Sequence, residues 1–504
     1  MISVSGRKWQ ERKTKTKLVE KIQQDFNFSK IISKLIVARN FDENEIYLID
    51  NFLELSNVFH KNQDFNESVE LIEIAINNKE NICILGDYDV DGSVAVSLWI
   101  KFLENINHPN FYYIPDREKD GYGASKRLFE KLIKKKPKLV VMVDCGSTSS
   151  EAIDYLNKNN IKSLVIDHHE ITKPFPKANM IINPKKNNGY IEYDYLCATA
   201  LTYFFLDMLA KKIKSKINLR KYLIYVLLAT VCDVMPIRKL NRLIAITALK
   251  EFDFNDNHAF NELYKLNDKK NKVNIDDLGY LIGPILNSGG RLGKSNYAVE
   301  LLTSKNKEVI SQKSKDLIEL NNKRKKLEYS ILKSINFSQI EKENKNVIFY
   351  YEPNINEGLL GIIAARLKDY FQKPSIVITN SKKNLKSSAR STHNYNIGKA
   401  IKKSLDQNII LNGGGHNMAA GFTLKKSNLL IFEKFILKDY IRSNISLDTS
   451  LKFESQISSS AFNKDFFNDI KRIEPFGNSN PLPTFFFKDL KVIKSSILKE
   501  KYIS

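Results

Sequence analysis

The stretch Ile82-Cys83-Ile84-Leu85-Gly86-Asp87-Tyr88-Asp89-Val90-Asp91-Gly92 begins as an apolar run and ends in three aspartates and a glycine. An apolar run bounded by turn residues is typical of a strand buried on both faces of a parallel sheet. Asp89 and Asp91 are separated by one residue, so a tight turn allowed by Gly92 would direct both carboxylates at neighbouring cations. Aspartate and glycine are also ordinary turn residues, so this stretch alone does not require a metal.

Two further apolar runs end in the same way. Residues 139–143 lead to Asp144, and the mostly apolar residues 163–166 lead to Asp167-His168-His169. Because ligands of open parallel α/β sheets bind outside the carboxyl ends of the strands, we expect these side chains to lie close together. Hard oxygen ligands combined with imidazoles suit one or two divalent metals. Asp167 would then orient one of the two rings.

Each of these acidic positions also has a purely structural interpretation. Asp144 could cap the next helix, although Ser149 serves that role equally well. The histidine pair could belong to a solvated turn. Asp233 follows an apolar helical stretch, where a carboxylate opposes the helix dipole; this favours a compensating cation, or else a simple chain turn before Pro236.

The rest of the chain predicts an α/β protein of several domains. Residues 76–305 alternate between strand and helix patterns and predict a parallel-sheet domain, with strands at 82–86, 111–115, 139–143, 163–166 and 179–182. The other predicted segments are a helical extension over 1–75, a long connecting helix over 306–340, a second α/β domain over 341–440 and a strand-like module over 450–504.

A second set of motifs predicts phosphate binding. The segment Gly414-Gly415-His416-Asn417-Met418-Ala419-Ala420-Gly421 leaves backbone N–H groups open and allows close approach of a phosphate, which His416 is placed to contact. Upstream, Ser388-Ala389-Arg390-Ser391 places a guanidinium beside hydroxyl groups, a combination that binds oxyanions. Either motif could instead serve packing alone.

Composition restricts the class of partner. A net charge of +22 over 504 residues favours a polyanion, nucleic acid before membrane. The alternative explanation for part of this charge is a general bias towards Lys, Asn and Ile in the composition. The four cysteines are widely spaced without a CxxC pair, which predicts reduced thiols in a cytoplasmic protein. No apolar stretch reaches the length of a membrane span, and we expect no membrane contact.

Together, and in this order, the motifs resemble the DHH phosphoesterase superfamily, whose naming motif matches Asp167-His168-His169. Within it the chain is most similar to single-strand-specific 5′→3′ DNA exonucleases. Further matching segments are Gly86–Gly92, Ile114-Pro115-Asp116-Arg117, Ile182-Asn183-Pro184, Ala229-Thr230-Val231-Cys232-Asp233-Val234-Met235-Pro236, Gly283-Pro284-Ile285-Leu286-Asn287, Gly290-Arg291-Leu292-Gly293 and Glu474-Pro475-Phe476-Gly477-Asn478.

The resemblance implies two metal ions, Mn²⁺ or Mg²⁺, with Asp144 as the bridge. The implied metal ligands are Asp89, Asp91, Asp144, His168 and Asp233, and the implied catalytic set adds Asp87 and His169. The implied substrate-binding residues are Arg117, Asn287, Arg291, Ser388, Arg390, Ser391, Gly414, Gly415 and His416. Five ligands, mostly oxygen, agree with a two-metal hydrolysis of phosphodiesters.

The implied function is stepwise release of 5′-mononucleotides from single-stranded DNA in repair and recombination. Single-strand-binding protein and a helicase are candidate partners, and we expect a monomer. The alternatives are an oligoribonuclease or cyclic-dinucleotide phosphodiesterase of the same superfamily, an inorganic pyrophosphatase, and a metal-free strand-binding protein. The implied C-terminal OB-fold needs five strands, whereas residues 450–504 have room for two or three.

Overall fold

The computed structural model describes residues 8–50, 55, 58–116, 120, 123–186, 188–443, 450–488, 490–491, 493–498 and 502–503. The chain forms two compact units. The larger unit comprises Ser56–Asp233 and Glu251–Leu447, and the smaller comprises Met1–Leu55, Val234–Lys250 and Asp448–Ser504.

A five-stranded parallel sheet forms the first half of the larger unit. Its strands lie in the spatial order Asn110–Tyr113, Ile82–Gly86, Leu139–Val143, Lys162–Ile166 and Met180–Ile182. These are the predicted strands, with ends that differ by up to two residues. The chain moves from Ile82–Gly86 first to one neighbouring strand and then to the other, so the strand order reverses at this strand. The acidic turn after Gly86 therefore lies at the topological switch point, where such sheets bind ligands.

Helices cover both faces of this sheet. The helix Val90–Asn105 is buried along nearly its whole circumference and packs on helix Ala198–Lys212. Its burial explains why the sequence here lacks the polar stripe of a surface helix. The other helices of this half are Gln63–Asn77, Lys126–Leu132, Ser150–Lys158, Leu223–Cys232, His258–Leu266, Gly283–Arg291 and Tyr297–Thr303.

The predicted long helix is present as Lys307–Ser334. It begins after Asn306, whose side chain accepts hydrogen bonds from the backbone N–H groups of Glu308 and Val309. Midway along its buried side, Arg324 donates to Glu328 at 2.8 Å. Arg366 of helix Leu360–Phe371 donates to the other oxygen of Glu328 at 2.7 Å, and so connects the long helix to the second α/β half.

The second half contains a mixed sheet instead of a parallel one. The spatial order is Asn412–Gly415, Ala419–Leu424, Asn384–Arg390, Ser375–Ser381 and Ile348–Tyr351, and the last pair is parallel while the others are antiparallel. Helix Leu360–Phe371 packs on one face, and helices Ile397–Asp406 and Leu429–Arg442 pack on the other. A short helix, Phe337–Glu343, precedes the sheet.

The smaller unit has helices Thr16–Phe26, Lys30–Ala38, Glu43–Tyr47, Lys239–Glu251 and Lys464–Lys471. Its described strands are short and occur in pairs: Trp9–Glu11 with Leu451–Phe453, Ser455–Gln456 with Phe485–Phe486, and Ile497–Leu498 with Tyr502–Ile503. Residues 450–504 thus hold more strand segments than the two or three expected, with no closed barrel among the described residues.

Helix Lys464–Lys471 was absent from the strand-like interpretation of this segment. The side chain of Asn463 accepts a hydrogen bond from the N–H of Phe466 and so begins the helix. Phe466 and Ile470, four residues apart, pack into the core of the smaller unit. Within the part of the chain that the structure describes, no helix is long and apolar enough to cross a membrane.

Candidate metal centre

The acidic turn after Ile82–Gly86 is fixed by its own backbone. The carboxylate of Asp89 accepts a hydrogen bond from the N–H of Gly92 at 3.1 Å and caps the buried helix. The carboxylate of Asp87 accepts from the N–H of Tyr88 at 2.8 Å. A Cβ atom at Gly92 would lie 2.5 Å from both the nitrogen and the oxygen of the Asp87 backbone, so this turn requires glycine.

Asp91 is held from a distant part of the chain. Its two carboxylate oxygens accept hydrogen bonds from the backbone N–H groups of Ala198 and Thr199, each at 2.8 Å, at the start of helix Ala198–Lys212. The Thr199 hydroxyl donates to the Asp91 carbonyl at 2.8 Å. A carboxylate oxygen has more than one acceptor site, so Asp91 retains lone pairs for a cation.

Asp144 occupies a restricted backbone position. Its φ is +58°, in the left-handed region that aspartate tolerates better than most residues. Its N–H extends the sheet by donating to the Ile166 carbonyl at 3.0 Å. The side chain is buried, and within the described part of the chain its Oδ1 atom has no hydrogen-bond partner. A buried carboxylate oxygen of this kind calls for a cation.

Asp167 organises the histidine pair. Its Oδ1 atom accepts from the N–H of His168 at 2.8 Å and lies 2.7 Å from Nδ1 of the His169 ring, the orienting contact that the sequence predicted. Its Oδ2 atom accepts from the N–H of Ser147 at 3.0 Å. With Nδ1 engaged in this way, the Nε2 atom of His169 is the ring nitrogen left for chemistry.

His168 lies at the meeting point of the acidic side chains. Its Nε2 atom is 3.3 Å from an Asp144 oxygen, 3.5 Å from an Asp233 oxygen and 3.8 Å from an Asp91 oxygen. Three overlapping groups have donor atoms within 4.8 Å of one another: Asp144, His168 and His169; Asp91, His168 and Asp233; and Asp87, Asp89 and Asp144. Asp144 and His168 each belong to two groups. A carboxylate such as Asp144 has two oxygens and can be shared between two ions, whereas a neutral imidazole such as His168 offers one nitrogen to one ion.

The electrostatics of the cluster suit divalent cations. Burial and the neighbouring carboxylates of Asp89 and Asp91 raise the pKa of Asp144 well above its ordinary value. Burial lowers the pKa of His168 to about 4, so its ring is neutral at neutral pH, as metal ligation requires. The residues present therefore fit two hard cations such as Mn²⁺ or Mg²⁺, because the donors are mostly carboxylates and the buried carboxylates repel one another.

Asn183 joins the loops of this centre, and the sequence analysis did not assign it a role. It is fully buried, and its side-chain amide donates to the Ser147 hydroxyl at 2.8 Å and to the His169 carbonyl at 2.9 Å. Its amide oxygen accepts from the N–H of Lys185 at 2.9 Å. Its position directly after a strand, like that of Asp144, is a signal that would have identified it.

We expect Asn183→Ala to lower the apparent affinity for Mn²⁺ by about 10- to 100-fold, because the loops that carry Asp144 and His169 lose their common support. Titration of the protein with Mn²⁺, followed by the shift in its unfolding temperature, measures this affinity. Asn179→Ala is the matched control: Asn179 lies just before the same strand and accepts from the N–H of Ser163 at the opposite end. Equal losses in both variants would contradict the positioning role.

The predicted phosphate-binding residues of the second half lie on adjacent strands. Gly421 pairs with Ser388 and with Gly414 in neighbouring strands, and Gly414, Gly415 and His416 are exposed. The His416 ring stacks near His169, with 5.8 Å between ring centroids. The structure thus brings the Gly-rich segment to the histidine pair of the first half.

Arg390 and Arg291 are held by backbone groups. Arg390 donates to the Ala389 carbonyl at 2.9 Å and to the Ser388 hydroxyl at 3.3 Å. Arg291 donates to the Gly358 carbonyl at 2.9 Å. Ser391 is fully buried, and its hydroxyl donates to the Tyr395 carbonyl at 2.7 Å.

Two predicted substrate residues remain. Asn287 is half-buried on helix Gly283–Arg291. Arg117 lies outside the described residues. Their contact with substrate stays a prediction.

Three family descriptions match the chain in succession. They are the DHH family, N-terminal domain, over residues 81–230, the DHHA1 domain over 344–439 and the RecJ OB domain over 453–503. Together the matches span more than half of the 504 residues. The chain carries a DHH domain, a DHHA1 domain and a RecJ OB domain in succession. DHH is the superfamily that its motifs resembled.

RecJ relatives match over most of this chain. The single-stranded-DNA-specific exonuclease RecJ of Haemophilus influenzae is 28% identical over 458 residues, or 86% of this chain and 79% of that protein. The Bacillus subtilis protein of the same name is 26% identical over 432 residues, or 84% of this chain and 54% of that protein. This chain therefore spans between about half and four fifths of the length of these two relatives.

A solved RecJ structure shares the fold. The crystal structure of RecJ in complex with Mn²⁺ from Thermus thermophilus matches with a TM-score of 0.81 and 20% identity, over 95% of this chain and 69% of that one. The same protein in complex with Mg²⁺ matches with a TM-score of 0.72 and 18% identity, over 95% and 67% of the two chains.

Proposed function

We propose that this protein is a 5′→3′ exonuclease that hydrolyses single-stranded DNA to 5′-mononucleotides with two divalent metal ions, and that it acts in DNA repair and recombination. The observation that carries the proposal is the set of three overlapping carboxylate and imidazole groups at the switch point of the sheet. They occur in a chain with the RecJ order of domains, and the relatives are named single-stranded-DNA-specific exonucleases.

Five residues would hold the two metal ions: Asp89, Asp91, Asp144, His168 and Asp233. Asp144 belongs to the group with Asp89 and to the group with His168, which favours it as the shared ligand. When bound, the two cations would activate a water molecule and stabilise the charge that develops on the phosphate. The hydrogen bonds to Asp89, Asp91 and Asp167 hold the surrounding loops in place before substrate arrives.

His169 and the second half of the larger unit would hold the phosphates. Burial lowers the pKa of His169, but the Asp167 carboxylate outweighs this and raises it to about 9, so the ring is a cation at neutral pH. It faces His416 of the Gly-rich segment. The guanidinium groups of Arg291 and Arg390 are fixed by backbone carbonyls. A guanidinium group presents planar N–H donors of the kind that bind phosphate.

The basic composition and the C-terminal segment would retain the strand. The net charge of +22 favours a polyanion, and residues 453–503 match the RecJ OB domain. Phe462 and Phe467 of this segment are exposed, at 64% and 53% of their surface, and offer rings on which bases can stack.

We propose single-strand-binding protein and a helicase as partners, a monomeric state and a cytoplasmic location. The four free thiols agree with that location.

The deciding experiment compares 5′-labelled and 3′-labelled single-stranded DNA with Mn²⁺, with Mg²⁺ and with EDTA. We expect immediate release of labelled mononucleotide from the 5′-labelled strand alone, and none in EDTA. Duplex DNA of the same sequence is the control for strand specificity. Turnover of RNA of two to four nucleotides without cleavage of long DNA would contradict the proposal and favour an oligoribonuclease.

A further inference from the structure

Two adjacent lysines at the edge of the metal centre have different surroundings. The Lys186 ammonium lies 3.0 Å from an Asp64 oxygen and donates to the Ile181 carbonyl at 3.4 Å. The Lys185 ammonium lies 3.1 Å from a Glu170 oxygen, and Glu170 directly follows the histidine pair. The two side chains thus pair with different parts of the chain. Of the two, Lys185 lies beside the metal centre.

The backbone of Lys185 is fixed to the same residue that joins the metal-bearing loops. Its N–H donates to the Asn183 amide oxygen at 2.9 Å, and the amide nitrogen of Asn183 donates to the His169 carbonyl and the Ser147 hydroxyl. The backbone of Lys185 is therefore held at a fixed position relative to His169. A cation needed at a defined place in the site requires this kind of support.

The positive charge of Lys185 influences ionisable side chains of both the metal centre and the Gly-rich segment. Although His416 has an exposed surface, neighbouring protein atoms partly desolvate its ring and lower its pKa, and the charges of His169 and then Lys185 lower it further. Lys185 also contributes to the electrostatic environment of His168 and Asp233. Its ammonium therefore lies within electrostatic range of both the proposed metal ligands and the Gly-rich segment.

The ion pair with Glu170 is of a kind that a phosphate can replace. The side chain of Lys185 is 19% exposed, whereas that of Glu170 is 66% exposed. An ion pair with so exposed a partner contributes little to stability, because water screens it. A phosphate carries negative charge and several acceptor oxygens, so it can replace Glu170 as the charge-assisted partner of Lys185 at little cost.

We propose that Lys185 contacts substrate: its ammonium binds the DNA phosphate presented to the metal centre, and Glu170 is its counter-ion in the free enzyme. This inference rests on the proposed function and adds a residue that the sequence motifs did not include. Lys185 is thus a phosphate-binding residue of the site, and Lys186 is a structural neighbour that supports the loop.

The test measures the binding of 5′-phosphorylated single-stranded DNA in EDTA, where no cleavage occurs, by fluorescence anisotropy at several salt concentrations. We expect Lys185→Ala to weaken binding about tenfold and to make the slope of log K against log salt shallower by about 0.7, the share of one phosphate contact on a single strand. Lys185→Arg should restore the slope, and Glu170→Gln should strengthen binding about twofold. Lys186→Ala, the matched control, should keep the wild-type slope.

These measurements distinguish the loss of a contact between Lys185 and phosphate from a general disturbance of the loop. A merely structural role for Lys185 would give an unchanged salt slope, or the same losses for Lys185→Ala and Lys186→Ala, and either result would overturn the inference. If the wild-type protein degrades single-stranded DNA while Lys185→Ala binds as the wild type does, only this inference fails. If the wild-type protein neither binds nor cleaves single-stranded DNA, the proposed function itself fails.

Discussion

Replacing Asp144 with asparagine is expected to reduce DNA cleavage about 10³-fold while leaving the unfolding temperature in EDTA unchanged or higher. The loss follows because asparagine removes the charge of the carboxylate shared by two of the ligand groups. Asparagine adopts the left-handed backbone conformation of Asp144 as readily as aspartate does, so the fold is retained.

The expected gain in metal-free stability has an electrostatic cause. An acid whose pKa is raised on folding destabilises the folded state at every pH above its ordinary pKa. Asp144 is such an acid, because burial and then Asp89 and Asp91 raise its pKa. Asparagine carries no charge and removes this cost.

Thermal unfolding with and without Mn²⁺, together with cleavage of labelled DNA, checks this prediction. Mn²⁺ should raise the unfolding temperature of the wild-type protein more than that of Asp144→Asn. Asp154→Asn is the control, because Asp154 is an exposed aspartate on helix Ser150–Lys158, which follows the same strand. A fully active Asp144→Asn protein would remove Asp144 from the metal centre.

Gly92→Ala is expected to abolish more than 99% of the activity and to lower the free energy of unfolding by about 1–3 kcal/mol. In an ordinary helix this change would stabilise by about 1 kcal/mol, since alanine has the higher helix propensity. Here the added Cβ would lie 2.5 Å from the Asp87 backbone nitrogen and oxygen, so the helix must move away from the strand. Asp89 and Asp91, on either side of the turn, would move with it.

Urea unfolding against Gly421→Ala tests the predicted loss of stability, and steady-state cleavage against the wild-type protein tests the predicted loss of activity. A Cβ at Gly421 would meet only the Ser387 carbonyl oxygen, at 3.9 Å, so that variant should fold normally. Normal stability and activity of Gly92→Ala would show that the turn can relax, and that the close approach of Gly92 to Asp87 does not control the positions of the ligands.

Local sequence pattern was sufficient to predict the elements that support the site. Buried parallel strands consist of continuous apolar residues, so Ile82–Gly86 and Leu139–Val143 could be placed without error. Because all carboxyl ends of a parallel sheet meet at one edge, the same strands predicted that Asp89, Asp144 and His168 would lie together. This prediction needed only the pattern of apolar residues along the chain and the common direction of the strands.

The sequence pattern did not predict features that depend on contacts between residues far apart in the chain. The mixed order of the second sheet and the helix Lys464–Lys471 follow from packing partners that periodicity does not identify. The same holds for Asp91, whose carboxylate is held by Ala198 and Thr199, more than 100 residues away.

By itself the sequence therefore determined which residue types end the strands, and with them the chemistry of a divalent-metal centre. The tertiary structure alone decided which oxygen lacks a hydrogen-bond partner, which histidine is oriented by Asp167, and that Lys185 turns to the site while Lys186 turns to Asp64. The physical reason is that a residue's type is local, whereas its burial, partners and pKa depend on what the folded chain brings beside it.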